Sequence, residues 1–247
     1  MSLERALAKK IFSLPQETLD EVKDHPLKVI ELIEKYASPQ SIFIGREKAR
    51  IIIEKVRKYS TNGPKHVAEL GCYVGYSAIL LGAEFVKDRP DVQFYSFEIN
   101  EEFAEIAKKF IDLAGLSEQV QVIVGRASRT LLEFGSREPF DFILIDHAND
   151  LYVPDLRLLE SLNLIAPGTI IVGDNIRYPG APDYHEYVNS SPEQKRIHNY
   201  SVVNVAGNQY PGRWNYLYES EQVDVHMKNY NQLDTIEITR CVEYLSG

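Results

Sequence analysis

Between Val67 and Ser77 the chain reads VAELGCYVGYS, an apolar run that meets a glycine-punctuated turn and then a new helical pattern. Val67, Ala68 and Leu70 read as the end of a buried strand. Gly71 and Gly75 let the backbone turn sharply and approach a ligand with no Cβ in the way. A helix starting near Tyr76 and Ser77 points unpaired N–H groups at whatever lies over the turn, a natural seat for a carboxylate or phosphate. The spacing is G-x-x-x-G and not the dinucleotide G-x-G-x-x-G, so the turn implies a nucleotide-type pocket without choosing its ligand.

From Val67 onward apolar runs alternate with amphipathic stretches, which predicts an α/β fold: a doubly wound, mostly parallel sheet with helices on both faces. The predicted strands are His66–Leu70, Gln93–Glu98, Val120–Val124, Phe140–Asp146 and Thr169–Gly173. Helices are predicted at Ser77–Lys87, Glu101–Ala114, Arg129–Phe134, Tyr152–Leu162 and Pro182–Val188. Residues 1–60 are helical in pattern, interrupted at Ser38–Gly45 by a loop that delivers Ile42 to Ile44 to a core or to a pocket wall, the core being the simpler role. After Val188 the period is lost. Residues 189–212 read as a long loop, and Arg213–Val225 with Leu233–Tyr244 as an antiparallel strand pair at one end of the sheet.

At 247 residues with 44% hydrophobic side chains, the expected organisation is one domain spanning 1–247. Its parts are N-terminal helices over 1–60, a binding core over 66–188, and a loop with the strand pair over 189–247. The formal net charge of −9, with Lys and Arg scattered, excludes a phosphate-tracking surface and argues against a nucleic-acid partner. No apolar run approaches a membrane span, and the charged start MSLERALAKKIFSLPQ lacks a secretory core, so a cytoplasmic protein is expected. Cys72 and Cys241 are too few for a disulfide framework and read as small buried side chains.

Ligands of open parallel sheets bind at the carboxyl ends of the strands, where the strand order reverses. The second predicted strand ends in Glu98, placed either to accept two ribose hydroxyls or to start the next helix with a favourable charge. After the third strand, Ser128 in GRAS can cap a helix or bond an adenine edge. The fourth and fifth strands end in Asp146 and in Asp174-Asn175. Two carboxylates and an amide at neighbouring strand mouths form a hard-oxygen set suited to Mg²⁺, although any one of these residues alone would read as a helix cap.

The series ELGCYVGYSA, FEIN, GRAS, LIDHANDLYVPDLRLLE and VGDNIRYPGAPD resembles the catechol O-methyltransferase family of Mg²⁺-dependent, S-adenosylmethionine-using small-molecule methyltransferases, in order and at similar spacing from about Gly45 to Tyr187. The resemblance implies a Rossmann-like, seven-stranded sheet with a terminal antiparallel pair. It implies that Glu69, Gly71, Tyr73 and Ser77 contact the methionine part of the cofactor, Glu98 its ribose, and Ser128 with His147 the adenine side, with Ile44 and Gly45 in a segment that closes over it. Asp146, Asp174 and Asn175 match the family's metal ligands, Asp146 also bordering the cofactor. A small-molecule catechol or other vicinal diol would be the partner, and the protein a monomer or homodimer.

The chain departs from the family at the acceptor side. Where the family has a lysine that takes the phenolic proton, this chain has Asn149, and an amide is no base at neutral pH. Ala148 and Gln40 stand where the family has gate tryptophans, while Pro179 of the same gate is kept. The residue for the second hydroxyl is Glu219, with Glu221 and Tyr218 as alternatives. His147, Asp150, Lys48 or solvent remain as proton acceptors. A non-catalytic protein that binds the cofactor is the competing expectation.

Overall fold

The computed structural model describes residues 2–60, 62–134, 137–227 and 232–245. Four helices come first: α1 (Leu3–Phe12), α2 (Gln16–Val22), α3 (Pro26–Tyr36) and α4 (Gly45–Tyr59). The alternating part follows with β1 (His66–Leu70), α5 (Tyr76–Asp88), β2 (Gln93–Glu98), α6 (Glu101–Leu113), β3 (Val120–Val124), α7 (Ala127–Thr130), β4 (Phe142–Ile145), α8 (Tyr152–Ser161) and β5 (Ile170–Gly173). The chain then runs through an irregular turn at Ile176–Gly180 into α9 (Pro182–Asn189), α10 (Pro192–Ser201), β6 (Tyr216–Met227) and β7 (Gln232–Tyr244).

The seven strands lie in the order β3-β2-β1-β4-β5-β7-β6. The first five pair in parallel, and β7 runs antiparallel to both β5 and β6. The order reverses between β1 and β4, which leaves a crevice at their carboxyl ends. Strands β4 and β5 are apolar without interruption because both faces are covered. Along β4, Phe142 and Leu144 join the core under α4, α5 and α6, and Ile143 and Ile145 join the core under α8 and α9. All four are fully buried, each contributing about 1.5–3 kcal/mol of apolar burial. At the edge, β3 has buried Val120 beside exposed Gln121.

The predicted elements are found with shifted ends, and one expectation is overturned. Residues 189–212 are not a long loop, because they contain α10. Ser191 accepts from the Gln194 amide while the Gln194 side chain accepts from the Ser191 N–H, and Pro192 occupies the first turn. Only Lys195 is buried in that helix, so no apolar stripe betrays it. The Arg157 guanidinium on α8 holds the helix end from outside, donating to the carbonyls of Asn199 (3.3 Å), Val202 (2.8 Å) and Pro211 (2.8 Å). Among the described residues no helix is long and apolar enough to cross a membrane.

Candidate active site

A cavity of about 1090 Å³ opens at the carboxyl ends of β1, β2, β4 and β5. Its floor is the turn after β1. Gly71 adopts φ +105° and Gly75 φ +85°, with Tyr73 between them at φ +50°. A Cβ on Gly71 would lie 2.2 Å from the Asp146 carbonyl oxygen, so the floor and the metal-side strand touch backbone to backbone. Gly71 and Cys72 donate their N–H groups to the Phe97 carbonyl (3.0 and 3.1 Å), tying the turn to β2.

Glu98, at the end of β2, is buried and faces this cavity. Its Oε2 accepts from the Tyr73 N–H (2.7 Å) and its Oε1 from the Asn100 N–H (2.8 Å). Burial pushes its carboxyl above the ordinary range, and these amides hold the rise back. Asn100 takes over the start of α6 by accepting from Glu102 and Phe103, so Glu98 is not that helix's cap. Glu69, one residue before the floor, is wholly buried and outside the cavity lining. It accepts from the Ser96 hydroxyl through Oε2, while Oε1 has no hydrogen-bond partner among the described residues. Burial pushes its carboxyl up to about 7 against the influence of the Ser77 and Ser96 hydroxyls.

Ser77 and Ser128 both line the cavity. Ser128 sits inside the first turn of α7, whose cap position is Arg126, so the capping role expected as one alternative is not the one it plays. His147 also lines the cavity. Its Nε2 lies 2.7 Å from Asp155 Oδ2, its ring stacks on Tyr152 with centroids 5.4 Å apart, and its Nδ1 is buried with no partner.

The segment 40–44 does both things expected of it as alternatives: it forms a cavity wall, and Ile44 and Phe43 also pack into the core. Gln40, Ile42, Phe43 and Ile44 all line the cavity, with Ile42 74% exposed and Ile44 buried. Phe43 stacks on Tyr76 at 4.5 Å, and the Tyr76 hydroxyl donates to Glu34 (2.6 Å). Arg46 donates to the same carboxylate through two bonds of 2.8 Å. The N-terminal helices therefore anchor this wall: Tyr73 adds a bond of 2.6 Å from its hydroxyl to Glu4 of α1.

Opposite the floor, Asp146, Asp174 and Asn175 meet at the mouths of β4 and β5, all lining the cavity. Asp174 Oδ1 and Asp234 Oδ2 each lie 2.6 Å from the buried Lys48 ammonium. The Asp146 carboxylate has no hydrogen bond or ion pair among the described residues. Burial and the neighbouring Asp174 charge push it well above the usual carboxylate range, against the pull of Lys48. Burial raises Asp174 as well. Two carboxylates, Asp174 and Asp234, thus share one ammonium while Asp146 stands near them unpaired among the described residues, an excess of negative charge in a poorly solvated place that a cation would relieve. Among the described residues no three His, Cys, Asp or Glu side chains form a metal-ligating group by themselves. Asp146, Asp174 and Asn175 offer two carboxylates and one amide, which suits a hard cation that keeps several waters.

Other expected residues fall elsewhere. Lys48 is no proton acceptor: burial alone would lower its affinity for the proton, but Asp174 and Asp234 more than offset this and keep it an ammonium. Asp150 is exposed and outside the cavity lining. Glu219 is corrected too: 67% exposed, it accepts from Arg240 (2.7 Å) away from the cavity. Glu221 pairs with Lys55, and Tyr218 donates to Glu160, so neither alternative replaces it. Pro179, Ala148 and Asn149 do line the cavity, Asn149 donating weakly to the Asn175 carbonyl at 3.4 Å. Sequence reasoning missed Asp234, Gln232, Met227, Val205 and Ala206, which complete the lining. Nothing local marks them: Gln232 and Asp234 arrive because β7 runs antiparallel to β5, Met227 ends the paired strand β6, and Val205 and Ala206 lie in the segment after α10.

The O-methyltransferase family profile matches residues 31–200. Catechol O-methyltransferase B of Danio rerio is 34% identical over 192 residues, 73% of this chain and 70% of that protein. The catechol O-methyltransferase of Bos taurus is 31% identical over 186 residues, 71% of this chain and 66% of that protein. The fold is shared with the crystal structure of an O-methyltransferase from Bacillus cereus in complex with SAH, at a TM-score of 0.62 and 20% identity over 95% of this chain and 94% of that one. The seven-stranded order, the glycine floor and the match over most of the chain agree: this chain belongs to the O-methyltransferase family and is catechol O-methyltransferase-like.

Proposed function

We propose that this protein transfers the methyl group of S-adenosylmethionine to a hydroxyl of a catechol or related vicinal diol, with Mg²⁺ in the oxygen set. The observation that carries the reading is one cavity with two chemically different ends: the Glu98 carboxylate fixed by two backbone amides, and the partnerless Asp146 beside Asp174 and Asn175. A volume of about 1090 Å³ is just above the ~300–1,000 Å³ range for single-ligand pockets, which suits a donor and an acceptor together.

The Glu98 oxygens each keep a lone pair for a ribose hydroxyl, Ser128 and His147 offer polar edges to an adenine, and the Gly71 turn lets the methionine part lie against backbone. The buried, half-satisfied Glu69 sits beneath that turn as a counter-charge for an ammonium. Asp146, Asp174 and Asn175 would hold the metal, which when bound supplies positive charge that favours the acceptor's oxyanion. The chain's own contribution is to orient the acceptor oxygen in line with the methyl group and to exclude water, with Ile44 and Phe43 closing one side. Of the proton acceptors expected in place of a lysine, His147 is the side chain that lines the cavity; in the neutral tautomer that donates Nε2–H to Asp155, the lone pair is on Nδ1, which is buried and without a partner among the described residues.

At the cavity mouth, Ile42, Leu151, Tyr178 and Val205 are exposed apolar side chains, so the part of the acceptor remote from its hydroxyls is apolar. The net charge of −9 supports a small molecule over nucleic acid as partner. Free, buried Cys72 and Cys241 support a reducing compartment such as the cytoplasm.

The test is methyl transfer from S-adenosylmethionine to a panel of catechols and other vicinal diols, with Mg²⁺ and with chelator. Product that disappears with chelator is the expected result. Product that chelator leaves unchanged removes the metal from the proposal. Cofactor binding with no product on any diol favours the second reading, a cofactor-binding protein that has lost the family's activity with its lysine, for which Asn149 is the specific observation.

A further inference from the structure

Asp234, the third residue of β7, touches three separate parts of the candidate site. Its Oδ2 accepts from the Lys48 ammonium (2.6 Å) and from the Asn175 side-chain Nδ2 (3.0 Å). Its Oδ1 accepts from the Tyr178 backbone N–H (3.0 Å), at the turn that carries Pro179 into the cavity wall. The residue is almost fully buried, and nothing else among the described side chains bonds the Asn175 amide nitrogen.

An amide side chain flips between two nearly isosteric orientations, and only its oxygen can face a cation. With Nδ2 committed to Asp234, Asn175 is left with Oδ1 to present beside Asp174. The backbone cooperates, since Asn175 stands at φ +56°, a left-handed conformation that asparagine tolerates better than most residues. Lys48 bridges Asp234 and Asp174.

We infer that Asp234 is a positioning residue for a divalent-cation site, orienting Asn175 through its amide nitrogen. The inference rests on the proposed metal-dependent reading of this cavity, and it adds a residue that touches neither acceptor nor methyl donor in that reading. Partners that orient metal ligands are typically worth ~10–100-fold in metal affinity. An aspartate is required because it accepts from three donors at once. In Asp234→Asn the new N–H would face either the Tyr178 N–H or the Lys48 and Asn175 donors, and the charge that holds Lys48 is lost in both orientations.

The experiment is calorimetric titration of Mg²⁺ into the full chain saturated with S-adenosylhomocysteine, for parent, Asp234→Asn, Asn175→Gly and the double variant. Glycine at 175 keeps the φ +56° backbone while removing the amide. Asp234→Asn should weaken Mg²⁺ about 10–100-fold in the parent background and less than about threefold in the Asn175→Gly background, with S-adenosylhomocysteine affinity within about twofold throughout. Equal losses in both backgrounds would overturn the inference, because they would mean that the lost charge acts through space and not through Asn175. An unchanged Mg²⁺ affinity in Asp234→Asn would overturn it while the metal-dependent reading stands. No Mg²⁺ binding by the parent would overturn both. Should Asp234→Asn fail to fold, Asp234→Glu keeps the charge and displaces the oxygens, and it must show the same metal-selective loss or the inference fails.

Discussion

Gly71 and Asp146 meet backbone to backbone: a Cβ built on Gly71 would stand 2.2 Å from the Asp146 carbonyl oxygen and 2.7 Å from its carbon. The glycine turn and the mouth of β4 are joined further by the Asp146 N–H donating to the Leu70 carbonyl (2.9 Å). Gly71→Ala must both leave φ +105° and push β4 away. The expected cost is at least about 2 kcal/mol in denaturant unfolding, with cofactor affinity lost in step. A variant as stable as the parent would show that the contact is loose.

Glu69 sets a pH dependence. Its folded carboxyl, pushed from 4.5 to about 7 by burial, binds a proton where the unfolded chain has already lost it. The folded state therefore holds more protons between these values, and stability falls as pH rises through that window. The full effect is roughly 3 kcal/mol. Glu69→Gln has no such group, so the stability of the apo parent relative to the variant should drop from about pH 4.5 to 7 and stay level above. Parallel stability–pH curves would contradict the assignment.

Glu98→Gln replaces one acceptor oxygen by an N–H that faces the Tyr73 or Asn100 amide. Losing such a charged acceptor costs about 1–3 kcal/mol, so S-adenosylhomocysteine affinity should fall about 5–150-fold by calorimetry. The melting temperature should fall too, by about 2–4 °C per kcal/mol lost, because these two bonds exist without the ligand, while Asn100 keeps the start of α6 capped. Undiminished affinity would remove Glu98 from the donor site.

Asn149→Lys restores a side chain able to take a proton at the acceptor end. A positioned base is typically worth ~10²–10⁴-fold, and His147 and solvent already supply part of that, so a gain in kcat on catechol of about tenfold is expected. A rate no better than the parent's would show that the proton has another route.

Ala148→Trp narrows the exposed lip of the cavity. KM for catechols with bulky apolar substituents should rise about tenfold while unsubstituted catechol changes less than about twofold, because only the larger acceptor extends over that lip. Equal effects on both would place the extension elsewhere.

The local chemistry of the chain was legible without a structure. Uninterrupted apolar runs such as FILI and IIVG announced strands buried on both faces, the glycines after Leu70 announced the turn, and Glu98, Asp146, Asp174 and Asn175 stood at strand ends where a parallel sheet puts its ligands. These signals are local because hydrogen-bonding periodicity and backbone sterics act over a few residues. Helix α10 escaped notice because a capping box and a distant arginine hold it in place of an apolar stripe. The role of Asp234, the neutralisation of Lys48 and the displacement of Glu219 to the surface were decided by sheet order alone. Residue 234 lies 60 positions after Asp174 in sequence, and only the antiparallel entry of β7 beside β5 brings their carboxylates to one ammonium. Charge and desolvation act across space, and no spacing along a chain records which distant groups will share a buried proton or cation.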